Sequence, residues 1–510
     1  MEKDNSNNKR IAKNTFYLYV RMLFVMAVTL YTSRVVLATL GETDYGLYNV
    51  IGGVVTAFTF ISMALSNASS RFITYALGKG DNEYTQKVFN TAFLIHIALA
   101  LFLFVVAETI GLWFLNSYMN IPPERMHAAN WVYQFSIMTT MTSTIGIPFN
   151  SAIIAHERMD AYAYISIFDV IMRLVIVYLL LVSSWDRLAF YAFLLLLLQI
   201  IDFSFYFLYS HKQFKEVKIV FIKDLTILKE MSGFAGWSII GNLAYVCYTH
   251  GLNVLLNIFF GPVVNAARGI AVQVQSAIKN FVVNFQTAVN PQITKSFAEG
   301  NLERMKYLIF VSSRLSFMIM FCLVLPIFLE IKMILSIWLT ATPEHTIAFI
   351  RLILLVSLID CFERPLTNAM NATGKIRKYQ IVTCTILLLI IPISYILLKN
   401  GLPSEIVFVV QFFIMAISCI PEFFILRGYI GISARLYFKE VICPVIVVVL
   451  LSSIVPFVLH MKLSEGLTSS IIIISVSILS VLICAYFMGM KDGERRYVNN
   501  IIQKFIKFKK

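Results

Sequence analysis

Four polar residues past the middle of the chain are spaced so that one helix face would present them together. Arg268, Gln275, Lys279 and Gln286 are separated by 7, 4 and 7 residues, which places them within about 40° of one another on an α-helix. Two cations and two amides in an apolar segment make a stripe that is too polar for lipid. Charged side chains inside spans usually face a protein interior or a wet cavity, so the stripe is a candidate binding site.

Further polar residues inside apolar segments extend this prediction. Asn67 and Arg71 share one helix face with Thr74, and Asn242 and Asn253 share another with Thr249. Cationic residues inside spans usually face a protein interior or a wet cavity, although those near span ends can also extend to the lipid headgroups. The predicted substrate-binding residues are Arg21, Arg34, Asn67, Arg71, Asn242, Asn253, Arg268, Gln275, Lys279, Gln286 and Arg314.

Acidic residues inside apolar segments admit two interpretations. Asp169 and Arg173 are four residues apart, as are Asp360 and Arg364, which favours structural ion pairs within a helix. A structural alternative for Lys279 and Arg268 is that each pairs with a buried acid such as Asp360 or Glu363. The other acids considered are Glu108, Asp202 and Glu422. They could bind H⁺ or Na⁺ as a coupling ion, or act as structural hydrogen-bond partners, and the sequence leaves both interpretations open.

Motifs for nucleotide, metal or redox chemistry are absent from the sequence. There is no GxxxxGK[ST] loop, since Gly374-Lys375 is followed by Ile376 and lacks the upstream glycine. His156-Glu157 is not part of an HExxH motif, and the seven cysteines form no CxxC pair. The sequence therefore predicts no enzyme, no metal site, no cofactor and no direct use of ATP.

The elements that must position these residues are membrane-spanning helices. The chain has 510 residues, of which 59% are hydrophobic and 14% charged, and its mean hydropathy is +0.78. A spanning helix needs about 20 mostly apolar residues, and such runs recur along the chain without the alternation of a transmembrane barrel. We expect an all-α membrane protein without a cleaved signal peptide, whose first helix directs insertion.

The hydropathy pattern predicts fourteen spans with short connections. They lie at 14–40, 45–77, 88–116, 127–155, 160–184, 187–209, 231–260, 262–294, 304–330, 345–370, 376–398, 403–427, 438–460 and 467–489. Most Lys and Arg residues outside the spans fall on the side of the N-terminus, and the opposite loops hold only Arg125, Arg187, Lys399 and Lys462. This bias predicts cytoplasmic termini and explains the net charge of +14 without a nucleic-acid partner.

The sequence also contains an internal repeat. A shift of 220 residues lays Gly41 on Gly261 and Gly80 on Gly300, and a shift of 217 lays Pro148 on Pro365. Because each unit holds six spans, the two halves enter the membrane in the same direction, as parallel repeats that form two lobes. The last two spans have no repeat partner.

These features predict four regions. Residues 1–210 form an N-lobe with spans 1–6, and residues 231–430 form a C-lobe with spans 7–12. A basic cytoplasmic linker at 211–230 joins them, and 431–510 hold spans 13–14 and a basic cytoplasmic tail. The linker and the tail could lie on the headgroups as interfacial helices or stay solvated as topology determinants.

The chain resembles the polysaccharide-repeat-unit (O-antigen and capsule) flippases of the MATE-like multidrug/oligosaccharidyl-lipid/polysaccharide exporter superfamily. The resemblance covers nearly the whole chain: two six-helix lobes, two extra helices, the basic linker, the stretch Pro-Phe-Asn-Ser-Ala-Ile-Ile-Ala-His-Glu-Arg at 148–158, and Gly-Glu-Thr-Asp-Tyr-Gly-Leu-Tyr at 41–48, which is similar to the family's first outer loop. It implies a multi-pass protein of the bacterial inner membrane. It also implies that spans 1, 2, 7 and 8 line the cavity.

What the resemblance implies for function is a role in polysaccharide and lipopolysaccharide assembly. An undecaprenyl-diphosphate-linked oligosaccharide would move from the cytoplasmic to the periplasmic leaflet by alternating access between the lobes. The expected partners are this lipid-linked oligosaccharide, membrane lipids, H⁺ or Na⁺, and other polysaccharide-assembly proteins. A cation-coupled multidrug exporter of the same fold is the second interpretation, and a membrane polymerase or ligase, disfavoured by the short outer loops, is the third.

Overall fold

The structure is a computed structural model that describes residues 2–56, 59–117, 121–182, 185–220, 224–339, 343–496 and 499. All regular structure in these ranges is helical, as predicted. We number the main helices in chain order. They are α1 (Glu2–Thr56), α2 (Thr59–Lys79), α3 (Asn82–Ser117), α4 (Met126–Ala155), α5 (Met159–Val182), α6 (Arg187–Gln213), α7 (Leu225–Phe260), α8 (Pro262–Ala298), α9 (Leu302–Trp338), α10 (Thr346–Thr373), α11 (Arg377–Lys399), α12 (Ile406–Ile430), α13 (Ala434–Lys462) and α14 (Leu467–Gly489).

Ten helices in the described ranges are long and apolar enough to cross a membrane, which identifies a multi-pass membrane protein. The remaining four, α2, α4, α8 and α10, fall short of the same standard of length, apolarity and low charge. They form two pairs related by the sequence repeat, α2 with α8 and α4 with α10. Helices too polar for lipid are expected to face other helices or a wet cavity, and the count of fourteen spans stays a prediction.

Backbone conformation reproduces the repeat. Gly80 and Gly300 follow α2 and α8 with φ angles of 74° and 75°, a left-handed conformation that glycine adopts without strain and that ends helices. α4 and α10 each contain a proline, Pro148 and Pro365, at matching positions. The sequence shift that pairs these prolines therefore reflects two structurally similar segments.

The first helix differs from the prediction at the expected outer loop. α1 is helical throughout residues 41–48 and ends at Thr56, so the prediction of a non-helical turn there is wrong. The packing partner nevertheless changes along this part of α1: Val36 and Leu40 pack with α5 and α6, Tyr48 contacts both this cluster and the next, and Ile51 packs with α3, α4 and α6. Arg125 links α1 to the segment before α6, because its guanidinium donates to the carboxylate of Asp44 and, at 2.6 Å, to that of Asp186.

The described chain divides into two compact units. Unit 1 comprises Met1–Leu243, Thr287–Asn301 and Asn371–Gln380. Its core is rich in aromatic rings, with Phe149 contacting Phe89 and Phe207 at centroid distances of 5.3 Å each, an edge-to-face arrangement that aromatic pairs favour. Unit 1 thus includes the end of α8 and the α10–α11 junction, which the predicted lobe boundaries assign to the C-lobe.

Unit 2 comprises Ala244–Gln286, Leu302–Met370 and Ile381–Lys510. It includes α13 and α14, which two buried polar contacts fasten to α9. Arg314 donates to the carbonyl oxygen of Glu440 on α13 at 2.7 Å and to the carboxylate of Glu494, beyond α14, at 2.5 Å. Glu330, at a kink in α9, accepts from His460 of α13 at 2.8 Å and Ser470 of α14 at 2.5 Å. Because buried charges are costly without partners, these pairs fix α13 and α14 on α9.

The basic linker is docked on unit 1 and is not an interfacial helix over residues 214–220, where the structure is non-helical. The side chain of Asn90 donates to the carbonyl oxygen of Lys218 and accepts from the amide of Val220, each at 2.9 Å. Glu216 pairs with His156. Burial would raise the pKa of the Glu216 carboxyl, but the hydrogen bond and charge of His156 outweigh it and hold this pKa below its usual value.

Candidate functional site

The polar stripe of α8 contains a buried guanidinium without a carboxylate partner among the described residues. Arg268 is 8% exposed. Its Nη2 donates to the carbonyl oxygen of Thr249 on α7 at 2.8 Å, and its buried Nε has no hydrogen-bond partner in the described part of unit 2. A buried cation with an unused donor is expected to bind an anion, because an unpaired buried charge is costly.

The other three residues of the stripe are engaged by neighbouring helices. Lys279 forms an ion pair with Asp360 of α10. Gln275 donates to the hydroxyl of Ser357 on α10 at 2.7 Å, and Gln286 donates to a serine hydroxyl on α9 at 3.1 Å. The helical spacing correctly places these side chains on one face, but in this conformation the face packs on α9 and α10. Their role in binding substrate stays a prediction.

The acidic residues of unit 2 bind partners on other helices, as the structural alternative for Lys279 expected. The expected pair between Asp360 and Arg364 is not the one that the structure shows, because Asp360 reaches across to Lys279 on α8. Glu363 is close enough to Asp360 for their charges to interact. The fully buried Glu422 accepts hydrogen bonds from Thr383 at 3.3 Å and Ser418 at 3.2 Å. Spacing within one helix cannot reveal partners that lie on another.

Unit 1 holds a polar cavity of about 210 Å³ between α1, α5 and α6. The predicted residue Arg21 lines it, and its guanidinium lies 4.6 Å from the ring centroid of Tyr162. Asp169 and Arg173 line it too and form the predicted ion pair, with Nε–Oδ2 at 2.9 Å. Asp202, which the sequence left with two interpretations, adds a second carboxylate to the wall. This cavity could hold an anion on Arg21 or a cation on the two acids.

In this conformation the guanidinium of Arg71 on α2 binds backbone carbonyl oxygens rather than facing a cavity. Its Nε and Nη2 donate to the carbonyl oxygens of Asn371 and Ala372, each at 3.1 Å. These carbonyls lie at the last turn of α10, where helix carbonyls lack intrahelical partners and a cation is favourable. The guanidinium also stacks on the ring of Phe72 at 4.4 Å. Arg71 thus caps the end of α10.

The remaining predicted residues are dispersed. Arg314 is 1% exposed and bound to the carbonyl oxygen of Glu440 as well as to Glu494, which indicates a structural role. Asn67 is exposed on α2, and Asn242 and Asn253 are half-buried on α7, in unit 1 and unit 2 respectively. The side chain of Arg34 lies outside the described residues.

This arrangement of helices is the fold of the MATE family transporters of the MOP superfamily. An outward-facing multidrug resistance MATE family transporter matches with a TM-score of 0.70 and 16% identity, over 82% of this chain and 96% of the other. A MATE in the bent conformation matches with a TM-score of 0.73 and 16% identity, over 83% and 96%. A MOP superfamily transporter from Pyrococcus furiosus, described as having a binding pocket of reverse polarity that suggests a different function, matches with a TM-score of 0.68 and 17% identity, over 82% and 96%.

No family model and no curated protein sequence matches the chain. At these identities the structural likeness establishes the fold, and the substrate has to be argued from the residues of this chain.

Proposed function

We propose that this protein is a transporter that flips an undecaprenyl-diphosphate-linked oligosaccharide from the cytoplasmic to the periplasmic leaflet of a bacterial inner membrane. The fold supports a carrier that alternates access rather than an enzyme. The resemblance of the sequence to polysaccharide flippases supports the substrate class. The proposal includes cytoplasmic termini, H⁺ or Na⁺ as a possible coupling ion, and polysaccharide-assembly proteins as partners.

The observation that carries the proposal is the buried guanidinium of Arg268. An Arg side chain presents a planar set of donors that matches phosphate oxygens, and its charge persists at any physiological pH. Its bond to the Thr249 carbonyl oxygen leaves the Nε donor unused. The diphosphate of a lipid-linked sugar would supply acceptors for this donor, and the amides of the same stripe would suit sugar hydroxyls.

Charge sign separates this proposal from a drug exporter of the same fold. A cationic drug needs acidic groups in the site, whereas Arg268 and Arg21 present unpaired guanidinium Nε atoms in the described residues. A solved transporter of this fold is itself described as having a pocket of reverse polarity that suggests a different function. The charge of the pocket therefore supports a choice between the two candidates.

A cation-coupled multidrug exporter is the second candidate, and one observation favours it. Asp202 adds a carboxylate to the unit 1 cavity beyond the Asp169–Arg173 pair. Such a carboxylate can bind a coupling cation as well as a cationic drug. The two candidates therefore differ in what binds near Arg268 rather than in what binds near Asp202.

The test replaces Arg268 and measures glycan export. We expect Arg268→Glu to abolish export at normal protein abundance, because repulsion replaces attraction at the headgroup site, and Arg268→Gln to reduce export less. The matched control is Arg351→Gln, since the Nε of Arg351 also donates to a single carbonyl oxygen, that of Phe328, at 3.1 Å. Normal export by an abundant Arg268→Glu variant would contradict the proposed site.

A further inference from the structure

A buried carboxylate on the turn between α4 and α5 is surrounded by donors from two distant segments. Glu157 has a side chain that is 0% exposed. It accepts from Arg10 of α1 at 2.7 and 3.0 Å, from Gln292 of α8 at 2.6 Å and from Lys295 of α8 at 2.8 Å. All four residues lie within unit 1. We call Arg10, Gln292 and Lys295 the donor trio.

The backbone at Glu157 is unfavourable for this residue. Its φ angle is 59°, in the left-handed region that residues with a Cβ atom rarely adopt. A strained conformation persists only where surrounding contacts enforce it. The backbone amides of Glu157 and Arg158 donate to the carbonyl oxygens of Ile154 and Ile153, at 2.9 and 3.0 Å, and close the end of α4 in this conformation. The donor trio adds contacts to the Glu157 side chain, which can leave the trio while the backbone turn stays in place.

The repeat-related turn has no such carboxylate. A shift of 217 residues lays Glu157 on Gly374, which has a φ angle of 76° and contacts the guanidinium of Arg71. There the cation binds the backbone carbonyls of Asn371 and Ala372. The two turns thus share a left-handed residue and a cation from an α2-type helix, but the first has a carboxylate at the position where the second has a glycine.

Without Glu157 the donor trio would be a cationic site. Arg10 and Lys295 carry two positive charges and Gln292 adds an amide donor, while Glu299, one turn beyond Lys295, acts electrostatically on the same amine with a single negative charge. Gln292 is 3% exposed, the Lys295 side chain 18% and the Arg10 side chain 45%, so the site is buried at Gln292 and reaches solvent at Arg10. Phosphate oxygens accept from guanidinium, ammonium and amide groups as a carboxylate does.

We propose that the donor trio is a phosphate-binding site that the Glu157 side chain occupies in this conformation and that the diphosphate of an entering lipid-linked substrate takes over when this side chain moves away. This proposal rests on the proposed function, since the turn lies at the predicted cytoplasmic end, where such a lipid would arrive. Glu157 acts as an internal stand-in for the ligand: its withdrawal exposes the trio, and its return expels the diphosphate.

The experiment measures binding of inorganic pyrophosphate to the full-length protein in detergent, by calorimetry and by the shift in Tm. Wild type has to displace its own carboxylate, so we expect Glu157→Ala to bind pyrophosphate with a Kd at least about tenfold lower. Adding Lys295→Gln to that variant should return the Kd to the wild-type value or weaker. If Glu157→Ala does not fold, Glu157→Gln, which keeps the shape of the side chain, replaces it.

Glu216→Gln is the matched control. It removes another buried carboxylate paired to the same turn, through His156, without touching the donor trio, and it should leave pyrophosphate binding unchanged. Equal affinity of Glu157→Ala, Glu157→Gln and wild type would overturn the site. So would equal gains in the Glu157 and Glu216 variants, because the effect would then be general electrostatics.

Two further arms separate the ligand's source and the underlying function. The first arm measures pyrophosphate binding in nanodiscs with and without an isoprenyl diphosphate. If the site binds a lipid headgroup, the isoprenyl diphosphate should compete with pyrophosphate. If it does not compete, the site binds free phosphate only and has no link to the transported lipid. Transport of lipid-linked oligosaccharide without any gain of pyrophosphate binding in the Glu157 variants would overturn this inference alone. The gain without transport would overturn the proposed function and leave the site standing.

Discussion

The ion pair between Lys279 and Asp360 permits a test of the packing of α8 on α10. The side chains are 19% and 9% exposed, so the pair is largely desolvated, and removing one partner of such a pair typically costs about 3–5 kcal/mol. Total stabilities of about 5–15 kcal/mol make this loss severe. We expect Lys279→Glu, which adds a carboxylate beside Asp360 and Glu363, to lower membrane abundance and the Tm of the purified protein.

The charge swap distinguishes a structural pair from a substrate site. Combining Lys279→Glu with Asp360→Lys should restore abundance and most of the lost Tm, because the attraction is re-formed with its direction reversed. Lys332→Glu is the control, since Lys332 pairs with Glu465 at 3.8 Å with both side chains exposed and such pairs contribute about 0–1 kcal/mol. The structural role of the Lys279–Asp360 pair would be refuted if the single Lys279→Glu variant were as abundant and stable as wild type. It would also be refuted if the double variant had no higher abundance or Tm than the single variant.

Three further outcomes follow from the sequence and the structure. Topology reporters fused after Asn116 should read as periplasmic and those after Gly80 or Gln213 as cytoplasmic, and opposite labelling would overturn the predicted orientation. Transport in sealed vesicles should persist without ATP and respond to an ion gradient or to substrate supply, so strict ATP dependence of the purified chain would contradict a carrier. The pKa of the Glu216 carboxyl is lowered in the folded state, so its pairing with His156 should stabilise the protein at pH values above the usual carboxyl pKa and lose this effect as the pH falls through the lowered pKa. Glu216→Gln should remove this part of the acid dependence of Tm. A variant whose Tm depends on pH as in wild type would contradict the prediction.

Much of the fold could be predicted from the sequence, because membrane-spanning helices are recognised by their length and apolar composition. Ten helices meet the standard for spans, and the predicted boundaries at 127–155, 160–184 and 467–489 lie close to the observed α4, α5 and α14. The glycines and prolines of the repeat were also readable, since their backbone demands are local. The turn expected at 41–48 was wrong because α1 stays helical there; glycine and polar residues favour turns but do not require them.

The candidate site was predictable only in part. Helical spacing grouped Arg268, Lys279 and the two amides on one face, with pairing to a buried acid such as Asp360 or Glu363 as the structural alternative for the two cations. The structure shows that pair for Lys279 and Asp360, whereas the bond of Arg268 to the Thr249 carbonyl oxygen was not predicted. The sequence gives no role to Glu157, because His156-Glu157 is not followed by the second histidine of an HExxH motif. Its donors lie up to 147 residues away in sequence, and only the tertiary structure brings them together.

The proposal that this protein flips a lipid-linked oligosaccharide is tested most directly by a flipping assay with the purified protein in proteoliposomes. The substrate is a fluorescent undecaprenyl-diphosphate oligosaccharide, and the readout is its accessibility to a lectin or quencher outside the vesicles. We expect wild type to move the lipid between leaflets without ATP and Arg268→Glu, at equal reconstitution, to leave it in place. If wild type leaves the lipid in place but moves a cationic drug on a H⁺ or Na⁺ gradient, the account is contradicted and the exporter interpretation replaces it.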